Sequence, residues 1–168
     1  MIMKKILITF LLSFFYNHLS AVNDQMILAE NFPDKLSDFE FFMDNSAQIP
    51  HDKVIQYELI SSLFSDYSKK QRWVYVPSNV KANYEQNWVF NFPTGSALIK
   101  TFYYPVDERD PALGKQLLET RLLLRKNHGW EAVSYAWNED QTEAYKKIAG
   151  KTISTCLLYT SPSPRDLW

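Results

Sequence analysis

The chain of 168 residues contains one cysteine and carries a net charge of −1 at pH 7. A lone cysteine excludes a disulfide framework, and the mildly acidic balance gives no electrostatic reason to expect nucleic-acid binding. The length is sufficient for one domain with its own hydrophobic core.

The first 21 residues have the order of a secretory signal peptide. Lys4 and Lys5 form a basic start, residues 6–16 are almost wholly apolar, and the segment ends on the small residue Ala21. Such an apolar run is too short to span a bilayer as a stable helix. We therefore predict cleavage after Ala21 and an exported protein, periplasmic or otherwise extracytoplasmic.

A short helix is the first element predicted after the leader, in the segment PDKLSDFEFFMD. Asp34 is placed to cap its N-terminus. The apolar residues of its predicted face, which recur at helical spacing, are Leu36, Phe39, Phe42 and Met43.

Alternating apolar residues predict three strands in the middle of the chain. The first covers residues 72–76, with Trp73 and Tyr75 on one face. The next two, at 88–92 and 97–104, flank a turn that contains proline and glycine.

The stretch LLETRLLLRKNHGWEAVSYAWN predicts a hairpin. It turns at Asn127-His128-Gly129, because Gly129 can adopt a positive φ. Its predicted apolar face comprises Leu118, Thr120, Leu122 and Leu124. Its predicted polar face comprises Glu119, Arg121 and Arg125.

A second helix is predicted at residues 139–149. Asn138 precedes it as N-cap, Gln141 completes a capping-box pattern, and Gly150 stands at its end. Another strand is predicted at 151–154. Strand candidates outnumber helices, which indicates a mainly β domain: a β-sandwich or partly open barrel with two or three short helices.

The end of the chain differs in character from the rest. Residues 156–166 read CLLYTSPSPRD, which matches a transposase-type sequencing adapter translated in one frame. The alternative is a genuine Ser/Pro-rich tail. We expect a signal peptide at 1–21, a single β-rich domain at 22–155 that is the N-terminal part of a longer protein, and a non-native tail at 156–168.

No motif for a known reaction is present. The sequence lacks a P-loop, GxGxxG, HExxH and GxSxG pattern. His51 and His128 lie far apart in sequence, which argues against a histidine metal site. The acidic cluster Asp107, Glu108 and Asp110 could hold Ca²⁺, but its spacing matches no calcium loop, and a solvated loop is favoured.

Charged residues on two predicted strands form a candidate site. Lys100 lies on one strand, and Glu119 and Arg121 share a face of another. If these strands are neighbours, the three charges converge on one partly buried face. Two interpretations are open: a ligand or partner site, and a self-compensated ion cluster in which Lys100 pairs with Glu119.

Aromatic residues are dense on the predicted strands. An exposed row of them could stack on sugar rings, whereas buried ones would belong to the core. The exposure of Trp73, Trp88 and Trp137 distinguishes these interpretations.

Four stretches together resemble a known family: SSLFSDYSKKQRWVYVP, FNFPTGSALIKTFYYP, LLETRLLLRKNHGW and SYAWNEDQTEA. They look like the N-terminal domain of an uncharacterised family of exported bacterial c-type cytochrome-like proteins. Related domains also lie beside modules similar to pyrroloquinoline quinone sugar dehydrogenases. The resemblance covers about residues 36–151 and implies a CxxCH motif for haem c further along the parent protein. This chain contains no such motif, so no cofactor is expected in it.

The resemblance implies a non-catalytic periplasmic domain of an electron-transfer protein, truncated before its haem motif. Its expected partners are the missing cytochrome c region and periplasmic redox proteins, with no nucleic acid and no membrane contact beyond the export signal. The residues implied for a docking surface are Asp66, Lys100, Glu119 and Arg121, and no catalytic or metal-binding residue is expected. The alternative function is an extracytoplasmic carbohydrate- or polymer-binding module. A hydrolase with paired carboxylates has no supporting spacing.

Overall fold

The computed structural model describes residues 22–61 and 68–147. The N-terminal part is built from short elements that cover one side of the molecule. They are helix α1 (Asp24–Leu28), a 3₁₀ helix (Leu36–Phe39), and a two-stranded ribbon of β1 (Phe42–Asp44) and β2 (Ile49–Pro50).

The remaining strands form one six-stranded antiparallel sheet in which each strand pairs with the next in sequence. They are β3 (Val54–Gln56), β4 (Lys69–Tyr75), β5 (Ala97–Pro105), β6 (Lys115–Lys126), β7 (Gly129–Trp137) and β8 (Ala144–Lys147). A second 3₁₀ helix (Pro111–Leu113) lies between β5 and β6. The predicted mainly β fold with short helices is confirmed.

The core lies against one face of this sheet. Burial alternates along β4 to β7, as expected for an antiparallel sheet with one packed face. Phe39 and Phe41 of the N-terminal part stack with ring centroids 5.2 Å apart, and Tyr135 meets Phe39 edge-on. These contacts fix the short elements on the core face.

The predicted hairpin is present, with one local difference. Lys126 pairs with Gly129, whose φ is 146°, so β6 and β7 turn where the sequence predicted. Leu117, rather than Leu118, is buried. The cause is a bulge, because Phe102 and Tyr103 of β5 pair with residues 119 and 117 and leave Leu118 as the extra residue.

The helix predicted at 139–149 is wrong over its described part, where a turn leads into β8. The Asn138 side chain accepts hydrogen bonds from the backbone N–H groups of Thr142 and Glu143, and thereby closes the turn. Ala144 then pairs with Trp137 and is fully buried. Sheet pairing has overridden the local helix signal. The strand predicted at 151–154 lies outside the described residues, as does the tail.

The strand predicted at 88–92 is also wrong. Apart from a bridge between Asn83 and Asn91, this segment has no sheet partner among the described residues. Val89 is 86% exposed, so the alternating pattern of this segment does not reflect a packed face.

The first predicted helix is reduced to the 3₁₀ turn at Leu36–Phe39, whose cap position is Lys35 and not Asp34. Glu40 adopts a left-handed conformation with φ 55°, which ends the turn. Phe42 then begins a strand and is buried, whereas Met43 points to solvent. Asp34 instead pairs with Lys146.

Candidate functional site

Lys100, Glu119 and Arg121, which were singled out from the sequence, meet on the face of the sheet opposite the core, which we call the outer face. Lys100 of β5 pairs directly with Arg121 of β6, and Phe102 pairs with Glu119. Arg121 Nη2 lies 2.9 Å from Glu119 Oε2. The predicted convergence is therefore present, and Glu119 forms its ion pair with Arg121.

Phe102 contacts both cations of this group. The Lys100 Nζ atom is 4.9 Å from the ring centroid, and the Arg121 Cζ atom is 4.8 Å from it. Both distances are within the range of cation–π attraction. The ring therefore attracts both the ammonium and the guanidinium group.

The register extends this group into a line of cations across the sheet. Arg72 of β4 pairs with Lys100, Arg121 pairs with Ser134 of β7, and Ser134 pairs with Lys147 of β8. Neighbouring strands are about 4.8 Å apart, so the line crosses five strands at that interval. We call Arg72, Lys100, Arg121 and Lys147 the cationic row.

Like charges dominate the electrostatics of the cationic row. Partial burial lowers the pKa of Lys100, and the positive charges of Arg121, Arg72 and Lys70 lower it further, while Glu119 opposes the shift. The hydrogen bond to Glu119 raises the pKa of Arg121. Among the described residues, Glu119 is the carboxylate paired with this group, and it compensates the cations only in part.

An apolar row lies beside the cationic row on the same face. Its members pair across four strands, and all are half-buried except the last, which is exposed: Val74, Leu98, Leu123 and Ala132. Beyond it, Arg125 pairs with Trp130 and lies over its ring at 5.8 Å. The outer face thus combines positive charge with accessible apolar surface.

The tryptophans do not form the exposed row that would support sugar stacking. Trp73 and Trp137 are 0% and 1% exposed and belong to the core, whereas Trp88 is 78% exposed. A separate aromatic cluster connects Tyr84, Phe90, Phe92 and Trp130. Its neighbouring rings are tilted by 49° to 76°, so they do not present one flat platform.

The acidic loop is held together by its own contacts. The Arg109 side chain donates two hydrogen bonds to the Asp107 carboxylate and its backbone N–H donates a third, and together they lower the Asp107 pKa to about 2. Asp110 caps the 3₁₀ helix that follows, and Glu108 pairs with Lys69. Within residues 22–61 and 68–147, no three His, Cys, Asp or Glu side chains form a metal-binding group. These contacts favour the solvated-loop interpretation.

The sequence predicted only part of the cationic row. Lys100, Glu119 and Arg121 were identified, while Asp66 lies outside the described residues. Arg72 and Lys147 were missed. Arg72 precedes the buried Trp73 on β4, so strand alternation could have placed it on the opposite, outer face. Lys147 was assigned to the predicted helix, but it lies on strand β8.

Comparison with known proteins does not place the chain in a family: no family model, curated protein or solved structure matches it. Among the described helices, none is long and apolar enough to cross a membrane. Covalent haem attachment through CxxCH needs two thiols, and the sequence contains Cys156 alone. The residues present do not fit that cofactor.

Proposed function

We propose that this protein is a non-catalytic, exported domain that docks a partner through the outer face of its sheet. The observation that carries the proposal is the meeting of Lys100, Glu119 and Arg121 around Phe102 on an accessible face. The resemblance of the sequence to exported c-type cytochrome-like proteins implies that this domain belongs to an electron-transfer protein that carries haem c in another region.

The arrangement of charge supports binding more than stability. Like charges placed directly opposite each other on neighbouring strands destabilise a sheet, by roughly 0.2–1 kcal/mol for each pair. Arg72, Lys100 and Arg121 form two such pairs in succession. A self-compensated ion cluster would contain enough carboxylates to cancel them, and within residues 22–61 and 68–147 Glu119 is the carboxylate that pairs with this group. An acidic partner would supply the missing negative charge.

Docking is tested with the haem-binding region that the resemblance implies. Sequencing the coding locus beyond codon 155 first shows whether a region with a CxxCH motif follows. That region is then produced with its haem, and its binding to the purified chain is measured by calorimetry. We expect binding that is lost in the double variant Lys100→Glu/Arg121→Glu. The control Lys53→Glu/Lys81→Glu reverses two exposed charges off the row and should retain binding.

The two parts of the proposal fail separately. A locus that ends without CxxCH would overturn the cytochrome-like parent. If such a region is present, docking through the outer face is refuted by absent binding, or by binding that both double variants retain.

A further inference from the structure

We infer that a cleft at one end of the core face binds a small monocarboxylate with an apolar ring, and that Lys115 holds its carboxylate. The cleft lies on the other side of the sheet from the outer face, so this inference goes beyond the proposed function and does not depend on it.

The cleft opens where β4, β5 and β6 continue past the buried core, and its volume is about 420 Å³. Small-molecule sites in proteins have volumes of roughly 300–1,000 Å³. Residues of the sheet and of the connection between β5 and β6 line the cleft together: Lys69, Tyr103, Pro105, Glu108, Pro111 and Lys115. The fold therefore leaves a site of small-molecule size beside its core.

Strand alternation places the cleft on the core face. Lys69 lies four residues before the buried Trp73 on β4, and Lys115 lies two residues before the buried Leu117 on β6. Residues separated by an even number of positions along a strand share a face of the sheet. Tyr103 pairs with both Lys69 and Leu117 and packs against the hydrophobic core. A ligand in the cleft would therefore leave the outer face free for docking.

The charges that line the cleft leave one cation to bind an anion. Lys69 Nζ lies 3.2 Å from Glu108 Oε2, so these two charges compensate each other. Lys115 Nζ donates a 2.6 Å hydrogen bond to the neutral side-chain amide of Gln71, and among the described residues no carboxylate pairs with it.

Partial burial makes Lys115 a receptive cation. Its removal from water lowers the pKa of its amine, because the charged form loses hydration. A buried charge is costly unless it is paired and hydrogen-bonded. An ammonium group has three N–H donors, and Gln71 accepts from one of them. One bound carboxylate would supply both the counter-charge and acceptors for the remaining donors.

Apolar groups beside Lys115 select the rest of the ligand. The Tyr103 ring centroid lies 5.4 Å from Lys115 Nζ, and Pro105 and Pro111 also line the cleft. A carboxylate bound at Lys115 can therefore bury an attached ring against these groups, and burial of apolar surface is favourable. Inorganic anions and acetate gain little from such a lining. The Glu108 carboxylate disfavours a second negative charge on the ligand.

Calorimetry with the purified full chain and four probes tests this specificity. The probes are 3-phenylpropionate, its neutral amide, acetate and phenylsuccinate. We expect 3-phenylpropionate to bind at least about tenfold more tightly than the amide, which lacks the charge, and than acetate, which lacks the ring; tenfold corresponds to about 1.4 kcal/mol. Phenylsuccinate carries a second carboxylate and should bind no more tightly than 3-phenylpropionate.

Matched variants assign the site. Lys115→Met should weaken 3-phenylpropionate binding about tenfold, whereas Lys81→Met removes an exposed charge away from the cleft and should leave the affinity unchanged. Thermal melts show whether each variant is folded, and the comparison of probes uses the wild-type chain and so does not depend on them. No binding of 3-phenylpropionate, equal binding of its amide or of acetate, tighter binding of phenylsuccinate, or full affinity in a folded Lys115→Met would each overturn the inference.

The same variants separate this inference from the proposed function. Lys115→Met should retain binding of the haem region, and Lys100→Glu/Arg121→Glu should retain binding of 3-phenylpropionate. Failure of carboxylate binding therefore leaves docking through the outer face standing, and failure of docking leaves the cleft standing.

Discussion

The two faces of the sheet are made by alternating residues of the same strands, and they meet opposite requirements. On the core face, Trp137 donates its indole N–H to Thr120, whose hydroxyl lies 2.7 Å from that of Thr101. On the outer face, Lys100 and Arg121 stand opposite each other with one nearby carboxylate. Packing and the Trp137–Thr120–Thr101 hydrogen bonds stabilise the first face, whereas on the second, within residues 22–61 and 68–147, Glu119 compensates these cations only in part.

Truncating a core tryptophan should have the largest effect on the free energy of unfolding, and it tests this contrast between the two faces. Trp73→Ala should lower the free energy of unfolding by about 3–5 kcal/mol, because the side chain is fully buried and packs edge-to-face on Phe42. Trp88→Ala, a control that removes the same group from an exposed segment, should change it by less than about 0.5 kcal/mol. Urea denaturation measures both. Equal losses would mean that the 88–92 segment packs as the core does.

A smaller effect is expected from the buried hydroxyls of the core face. Thr120→Val removes the acceptor of the Trp137 N–H and should cost about 1–3 kcal/mol. Thr101→Val removes only the bond between the two hydroxyls, so its loss should be smaller. Thermal melts of the two variants test the order. If Thr101→Val is the more damaging, the indole does not depend on Thr120.

The turn that leads to Lys147 gives an intermediate test. Asn138→Ala should cost about 1 kcal/mol, because two backbone N–H groups lose their side-chain acceptor. Asn138→Asp keeps an acceptor and should restore most of the stability, and hydrogen exchange of the β8 amides should follow the same order. Increased helical circular dichroism in Asn138→Asp would instead support the helix predicted at 139–149.

The sequence predicted the parts of the fold in which local pattern and tertiary pairing agree. Strands β4 to β7 alternate apolar and polar residues because one face of each is packed, and the turn before Gly129 joins β6 to β7 directly. The segment 88–92 also alternates, yet it pairs with no strand in the part of the chain that the structure describes. Asn138 closes a turn with the same side-chain hydrogen bonds that would cap a helix. Periodicity and capping chemistry do not reveal which strand lies alongside.

The candidate site was predictable to the same extent. The convergence of Lys100, Glu119 and Arg121 required only that β5 and β6 be neighbours, which short connections favour. Extending the group to Arg72 and Lys147 required the register of four strand pairs, and Lys147 also required β8 to be a strand. The cationic row is therefore a property of the folded sheet.

The smallest predicted effect concerns Lys100 and corrects the pairing considered from the sequence. Had Glu119 been its buried partner, Lys100→Met would destabilise the domain; because Glu119 pairs with Arg121, we expect unchanged stability or a gain of up to about 0.5 kcal/mol at neutral pH. The pKa of Lys100 is lowered in the folded protein, so its charge destabilises the folded state. This destabilisation is complete while the amine is protonated in both the folded and the unfolded protein. It disappears as the pH rises through the folded pKa to the ordinary value of 10.5.

The advantage of Lys100→Met over wild type should therefore shrink between neutral pH and pH 10.5. Urea denaturation of both proteins at the two pH values measures this difference, in which contributions of other groups shared by both proteins cancel. Lys81→Met serves as the control because its charge lies off the cationic row. A loss above about 1 kcal/mol at neutral pH would show that Lys100 is part of a stabilising ion cluster, and the contrast between a stabilising core face and an outer face of partly compensated charge would then fail.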